Sequence, residues 1–390
     1  MSAARAGCRL VVGPRDGLVV VGPMVDFTSA LYLGPPRLQL PAGLPLTTGR
    51  PAALQEPDWH RRVAGEVARR QGLETGLLAP STLHLFWDVL TLLPRSGVVF
   101  IDKTMYPVGQ WGAARAVLRG LPVVPFSAAN LPALARQLHT YRAQGRTPWL
   151  LTDGWRLNGA GPAPLARYLQ LLSPDSASAL LVDDTQAFGV LGARPSVRQP
   201  LGQGGGGTLP YLGVRHPQVL TITSLAKGLG VPVAVLAGSR AWLRHYEQCS
   251  TVRVHTSPVS GWHAAAAAQV LQHDARHGEA ARHQLTRHIG QFRQDLQAAG
   301  LRLRGGWFPV QKLVLPRASA SLGLYQLLRE EGFQALLLAD AARPTVPQVA
   351  FCLRADHRPA DLRRLTGLLA AQARRPDWFS VSHRSTLLLP

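Results

Sequence analysis

The 390-residue chain holds only three lysines, Lys103, Lys227 and Lys312, among many arginines. Lys227 has the most informative surroundings. It follows an apolar run, Val219 to Thr223, and a polar turn, Ser224-Leu225-Ala226; Gly228 and Gly230 come next, then a second apolar run from Val231 to Leu236. An ammonium held between buried strands must be paired or lose its proton. A deprotonated amine is the nucleophile that forms a Schiff base with an aldehyde, which arginine cannot do. Taken alone, the stretch fits a lysine on a mobile surface loop equally well. Other polar side chains close short apolar runs: Asp102, Asp153, Asp183 and Ser224. Helix capping would explain each of these singly.

Those runs belong to an alternating pattern. Strands are expected at 98–101, 122–125, 149–151, 179–182 and 219–223, with helices at 113–119, 131–141 and 164–172 between them. Short, continuously apolar strands separated by helices imply an α/β fold with a mostly parallel sheet covered on both faces. Ligands bind beyond the carboxyl ends of such strands, where the four polar residues stand. Before this region come a β-hairpin arm to about Gly34, a Pro-rich connector, a helix at 59–71, and Ser81 as the N-cap of a helix at 82–93. After it come a long Ala-rich helix, 261–299, and a smaller α+β part. The latter has strands at 311–315, 336–338 and 349–353 and helices at 322–331 and 359–374. The domains expected are an arm and connector over 1–45, a large domain over 46–280 and a small one over 281–390. Gly202–Gly207 (GQGGGG) lacks the strand and helix that flank a phosphate loop and reads as a flexible surface loop. His273 and His277 lie one helical turn apart with no third ligand nearby, so they read as a solvated face and no metal is expected.

A hydrophobic content of 46% against 16% charged residues provides for a sizeable core. The formal charge of +20 would suit a polyanion. The arginines are scattered without dense runs or interleaved aromatics, so nucleic acid is not the expected partner; an anionic substrate such as a coenzyme A thioester fits better. Cys8, Cys249 and Cys352 are odd in number and widely spaced, which favours a reducing compartment and a cytoplasmic protein. No apolar run is long enough to span a membrane, and none is a signal peptide.

One cofactor would use these groups together. Pyridoxal 5'-phosphate requires an amine for its aldehyde, an anion at its pyridine nitrogen, a bond to its ring hydroxyl, a flat group against its ring and a phosphate cradle. Lys227 supplies the amine, Asp183 the anion, Tyr106 the flat face, Ser224 a hydroxyl, and the helix N-terminus at Ser81, Thr82 and Leu83 backbone amides for phosphate.

Several segments in order resemble the fold-type I pyridoxal phosphate enzymes, and within them the α-oxoamine synthases of the 8-amino-7-oxononanoate synthase type. They are DFTSALYLG (Asp26–Gly34), LTDGWRLNGAGPAPL (Leu151–Leu165), VDDTQAFGVLG (Val182–Gly192), SLAKGLG (Ser224–Gly230), HTSP (His255–Pro258) and ARPTVP (Ala342–Pro347). The resemblance runs from Asp26 to about Leu369. It implies a seven-stranded-type sheet in the large domain, a homodimer, and condensation of an amino acid or amine with an acyl thioester through a Lys227 aldimine. It also implies that Thr256 reaches the partner subunit's phosphate and that Asp153 belongs to the cofactor site. Departures are specific. The family's ring-stacking histidine is Tyr106 here, and its ring-hydroxyl histidine is Gln186. Its two carboxylate ligands, an Asn and an Arg, fall on Ala30 and Ala350. Arg343, in the ARPTVP turn, is then the expected substrate ligand, with Arg354 on the exposed side of a strand as the other choice. An aminotransferase and a non-catalytic cofactor-binding relative are the alternative readings.

Overall fold

The computed structural model describes residues 24–39, 41–54, 56–157, 161–173, 177–339 and 345–374 in full, and the backbone alone of 9–11, 19–21, 340, 343 and 344. Contacts divide the chain into two compact units, Leu31–Thr286 and Met1–Ala30 with Arg287–Pro390. The opening segment thus belongs with the C-terminal part of the chain. β1 (Arg9–Val11) and β2 (Val19–Val21) pair antiparallel, as a hairpin requires, and β3 (Val25–Asp26) follows.

The larger unit begins with α1 (Asp58–Gln71), β4 (Thr75–Ala79) and α2 (Thr82–Val89), which ends in a 3₁₀ turn, Leu90–Leu92. β5 (Gly97–Asp102), α3 (Pro107–Leu118), β6 (Val123–Phe126), α4 (Leu131–Ala143) and β7 (Thr147–Asp153) come next. A two-residue ladder, β8 (Trp155–Arg156) with β9 (Gly161–Pro162), leads to α5 (Leu165–Leu172) and β10 (Ala179–Asp183). The unit continues through α6 (Thr208–Tyr211), β11 (Val219–Ser224), β12 (Ala234–Gly238), α7 (Arg240–Cys249), α8 (Thr251–His255) and the start of α9 (Gly261–Ala298).

Seven strands form one sheet in the order β4-β12-β11-β10-β7-β5-β6. Only β12 opposes its neighbours; the rest run parallel. Both faces are covered, so inner strands such as β5 and β10 are buried end to end, as their unbroken apolar runs require. Leu151, Leu181 and Ile222 enter the cluster built with α2 and α3, whereas Phe100, Leu150 and Val182 enter the one built with α4 and α5. α5 shows the matching helical period: Leu165, Tyr168, Leu169 and Leu172 are buried. Pro107 at its first turn starts α3 earlier than the expected Ala113, because proline's fixed φ suits a helix start. β4 was not expected; Gly76 breaks its apolar run, and this glycine is where α1 crosses, since a Cβ there would lie 2.7 Å from the Ala64 carbonyl oxygen.

The GQGGGG segment is not the flexible surface loop the composition suggests. Gly205, Gly206 and Gly207 are buried, and the segment is strapped to 189–193 by backbone bonds. These include Gly189 N to Gly205 O at 2.7 Å and Gly207 N to Leu191 O at 2.8 Å. A Cβ at Gly207 (φ +91°) would strike the Asp184 carboxylate, so glycine serves close packing here rather than mobility.

In the smaller unit β13 (Leu303–Arg304), β14 (Val310–Leu313), β16 (Leu336–Asp340) and β17 (Arg343–Cys352) form an antiparallel sheet in the order β13-β14-β17-β16. α10 (Ala318–Glu330), β15 (Phe333–Gln334) and α11 (Pro359–Ala373) complete it, and β15 pairs with β3.

Candidate active site

Side chains alternate along a strand, so the last residue of each strand follows the face of the residue two before it. Asp153 follows Leu151 and Asp183 follows Leu181, both toward α2 and α3. Asp102 follows Phe100 to the other face. There it closes its own turn, accepting from Thr104 N at 2.9 Å and from Thr152 Oγ1 at 3.4 Å. Of the four strand-end residues, Asp102 therefore stands apart.

Asp153 and Asp183 lie side by side in register on β7 and β10. Thr185 N donates to Asp183 Oδ1 at 3.0 Å. Burial raises the Asp183 pKa, against the lowering by the Thr185 hydrogen bonds and the Lys227 charge. Burial, reinforced by Asp183, pushes Asp153 up to about 8. Asp153 Oδ2 accepts from Tyr106 N at 3.1 Å. Lys227 Nζ sits 5.3 Å from the Tyr106 ring centroid, within cation–π range. The lysine turn is held from behind, because Gly228 lies so close to the Phe188 carbonyl that a Cβ would collide with it.

Ser224 N donates to Thr185 Oγ1 at 3.0 Å, and Ser224 Oγ accepts from Ala226 N at 3.2 Å, which shapes the turn into Lys227. The Tyr32 hydroxyl donates to Gln186 Oε1 at 2.7 Å. Ser81 is the N-cap residue of α2, but its hydroxyl bonds His84 Nδ1 at 2.8 Å and leaves the first-turn amides at Thr82 and Leu83 to another acceptor. Leu83 is 43% exposed. Lys227, Tyr106, Asp153, Asp183, Thr185 and Ser224 are thus linked, and Gln186 follows Thr185 directly.

Thr256 is not part of this group: its hydroxyl turns back to Val252 O at 2.7 Å, and its carbonyl accepts from Ala52 N. Arg343 begins β17, but its side chain lies outside the described residues. Ala350 is fully buried in β17, opposite Lys312 and Leu336. Arg354 is not on the exposed side of a strand: it lies past the end of β17, and its guanidinium pairs with Asp26 at 3.5 Å and Asp356 at 3.0 Å. His273 and His277 are exposed, with ring centroids 4.8 Å apart. Among the described residues no three His, Cys, Asp or Glu side chains group as metal ligands.

Sequence reasoning assigned no role to Tyr32, Thr185 or Asp184. Asp184 is buried on the other side of the sheet, accepts from Thr208 N at 3.0 Å and from Gln71 Nε2 at 3.1 Å, and is pushed by burial up to about 7. It anchors the glycine loop. The doubled Asp-Asp of Val182–Gly192 was its only local signal.

The model of the family "Aminotransferase class I and II" matches residues 116–367. The chain belongs to that family. The 8-amino-7-oxononanoate synthase of Aeromonas hydrophila is 31% identical over 340 residues, covering 85% of this chain and 77% of that protein. A putative 8-amino-7-oxononanoate synthase of Thermosynechococcus vestitus is 28% identical over 380 residues, 93% of each. Among solved structures, the serine palmitoyltransferase of Sphingomonas wittichii superposes with a TM-score of 0.74 at 16% identity, covering 89% of this chain and 86% of that one. The 8-amino-7-oxononanoate synthase of Francisella tularensis gives 0.67 at 18%, covering 90% and 98%. The fold is that of the fold-type I pyridoxal phosphate transferases. The chain is a pyridoxal phosphate-dependent transferase of the α-oxoamine synthase kind.

Proposed function

We propose that this transferase condenses an amino acid or simple amine with an acyl thioester, and that Lys227 is its catalytic amine. The carrying observation is Lys227 beside the Tyr106 ring and two buried carboxyls. The donor set fits pyridoxal phosphate: a buried carboxyl at Asp183 needs a cationic N–H partner, and a pyridinium is one. When bound, this cofactor supplies an aldehyde for amines and an electron sink for a developing carbanion. In this reading Asp183 would hold the ring nitrogen, Gln186 and Ser224 would bind polar groups, and Tyr106 would lie against the ring. The α2 amides at Ser81, Thr82 and Leu83 receive the phosphate. Lys227 would offer its amine to the cofactor's aldehyde and would move the proton at the substrate's α-carbon.

Ala30 and Ala350 offer no charge to a carboxylate, which supports a substrate without one at that position or a ligand elsewhere, Arg343 being our choice. A homodimer is supported by an apolar exposed face: Leu83 and Trp87 on α2, Trp111 on α3, Val254 on α8, with α2 packed on both other helices. A second copy covering it would bring Thr256, beside Val254, toward a neighbouring site. We place the protein in the cytoplasm; Cys249 and Cys352 are free thiols, and no described helix is long and apolar enough to cross a membrane. The test is reconstitution with pyridoxal phosphate, borohydride reduction and peptide mass spectrometry, then assay of thiol release from acyl-coenzyme A with a panel of amino acids and amines. A pyridoxyl group on Lys227 and amine-dependent thiol release are expected. A label on Lys103 or Lys312 instead would overturn the assignment.

A further inference from the structure

Tyr106 occupies an unusual position for a ring that must hold a fixed plane. It is the N-cap of α3, followed by Pro107, and half its surface is exposed. Packing therefore does little to restrain the ring, and although Gly109 N at 2.9 Å and Gln110 N at 3.3 Å tie its carbonyl into α3, its backbone N–H must be held by another group. The Asp153 carboxyl does this: Oδ2 takes the Tyr106 N–H at 3.1 Å, across from β7 to the start of α3. Asp153 is held in turn by its strand, in register with Asp183.

Resting on the site reading above, we propose that Asp153 is a positioning residue that works through Tyr106. As a neutral acceptor, its carboxyl fixes the Tyr106 backbone and so the plane of the ring that faces Lys227 and a flat heteroaromatic ligand. The charged groups around it are Asp183 on β10, Asp102 on β5 and Lys227 after β11. Two adjacent buried carboxyls do not both ionise readily, and burial with the Asp183 charge keeps the proton on Asp153 to about 8. Asp183 stands beside it in register to meet the ligand's ring nitrogen, and for its own role Asp153 needs only an oxygen that accepts an N–H. Asparagine has that oxygen and the same shape; alanine has neither.

The experiment is a double-mutant cycle on pyridoxal phosphate affinity in the full chain, read by absorbance titration rather than turnover, with urea midpoints checking that each variant folds. Asp153→Ala and Tyr106→Ala should each weaken binding about three- to tenfold, the span of an aromatic contact. The double variant should be no weaker than Tyr106→Ala, because both changes remove the same stacking surface. Asp153→Asn should bind within about twofold of the unsubstituted protein, since the accepting oxygen is retained. Multiplying effects in the double variant, or an asparagine variant as weak as the alanine one, would overturn the inference and leave the site reading intact. If the unsubstituted protein takes up no pyridoxal phosphate, the site reading falls and the inference with it.

Discussion

Raising the pH of the cofactor-free protein from 6.5 to 8 should destabilise it, and Asp153→Asn should reduce that slope. Burial raises Asp153 from 3.8 to about 8 and Asp184 from 3.8 to about 7. A carboxyl whose pKa is raised in the fold keeps a proton that the unfolded chain has already lost. Stability therefore falls with rising pH between the unfolded and folded pKa values. One unit is worth about 1.4 kcal/mol per proton, so Asp153 contributes a loss of roughly 1.5 kcal/mol over this window and Asp184 about half as much. Buried histidines act in the opposite direction. His60 is depressed to about 4, and burial also lowers His288 and His357, so the folded protein gains stability as the unfolded histidines deprotonate near 6.5. These residues offset part of the carboxyl loss. Asp183, which burial also raises, adds to the loss, and the difference between the protein and its Asp153→Asn variant measures what the coupled Asp153–Asp183 pair contributes. Urea unfolding at pH 6.5, 7.2 and 8.0 measures both. A variant whose stability falls with pH as steeply as the parent's would show that Asp153 carries no proton in this range.

Tyr32→Phe removes the hydroxyl that donates to Gln186 Oε1; a neutral buried bond of this kind is worth about 0.5–1.5 kcal/mol, so pyridoxal phosphate affinity should fall about two- to tenfold while the fold is kept. Gly207→Ala places a Cβ against the Asp184 carboxylate at φ +91°, and a loss of at least about 1–3 kcal/mol in urea-derived stability is expected from the strained backbone alone. Glycine and alanine should shift the bound-cofactor spectrum only weakly; if they saturate at micromolar levels and Arg343→Ala leaves this unchanged, the substrate carboxylate is held elsewhere. Light scattering at micromolar concentration should give a dimer, and Trp87→Glu on the exposed face of α2 should give monomers.

The sequence alone determined what is local. Lys227 between two apolar runs, the α/β alternation and the long α9 are set by contiguous residues, whose period and turn chemistry act over a few positions. The cofactor followed from side-chain types that few other chemistries need together. Tertiary structure decided what depends on distant partners. Asp102 and Asp153 look alike at the ends of apolar runs, but which face each takes depends on the sheet's two packed layers, which no single strand encodes. Tyr32 reaches Gln186 across 154 positions. The glycine segment has the composition of a mobile loop and becomes a buried strap only because Asp184 and the 189–193 backbone lie against it. Asp26 looks like part of an arm before the large domain, yet β3 pairs with β15 and Asp26 meets Arg354. In each case the deciding contact brings together residues far apart in the chain, so only the folded chain supplies the backbone groups and desolvation that give the residue its role.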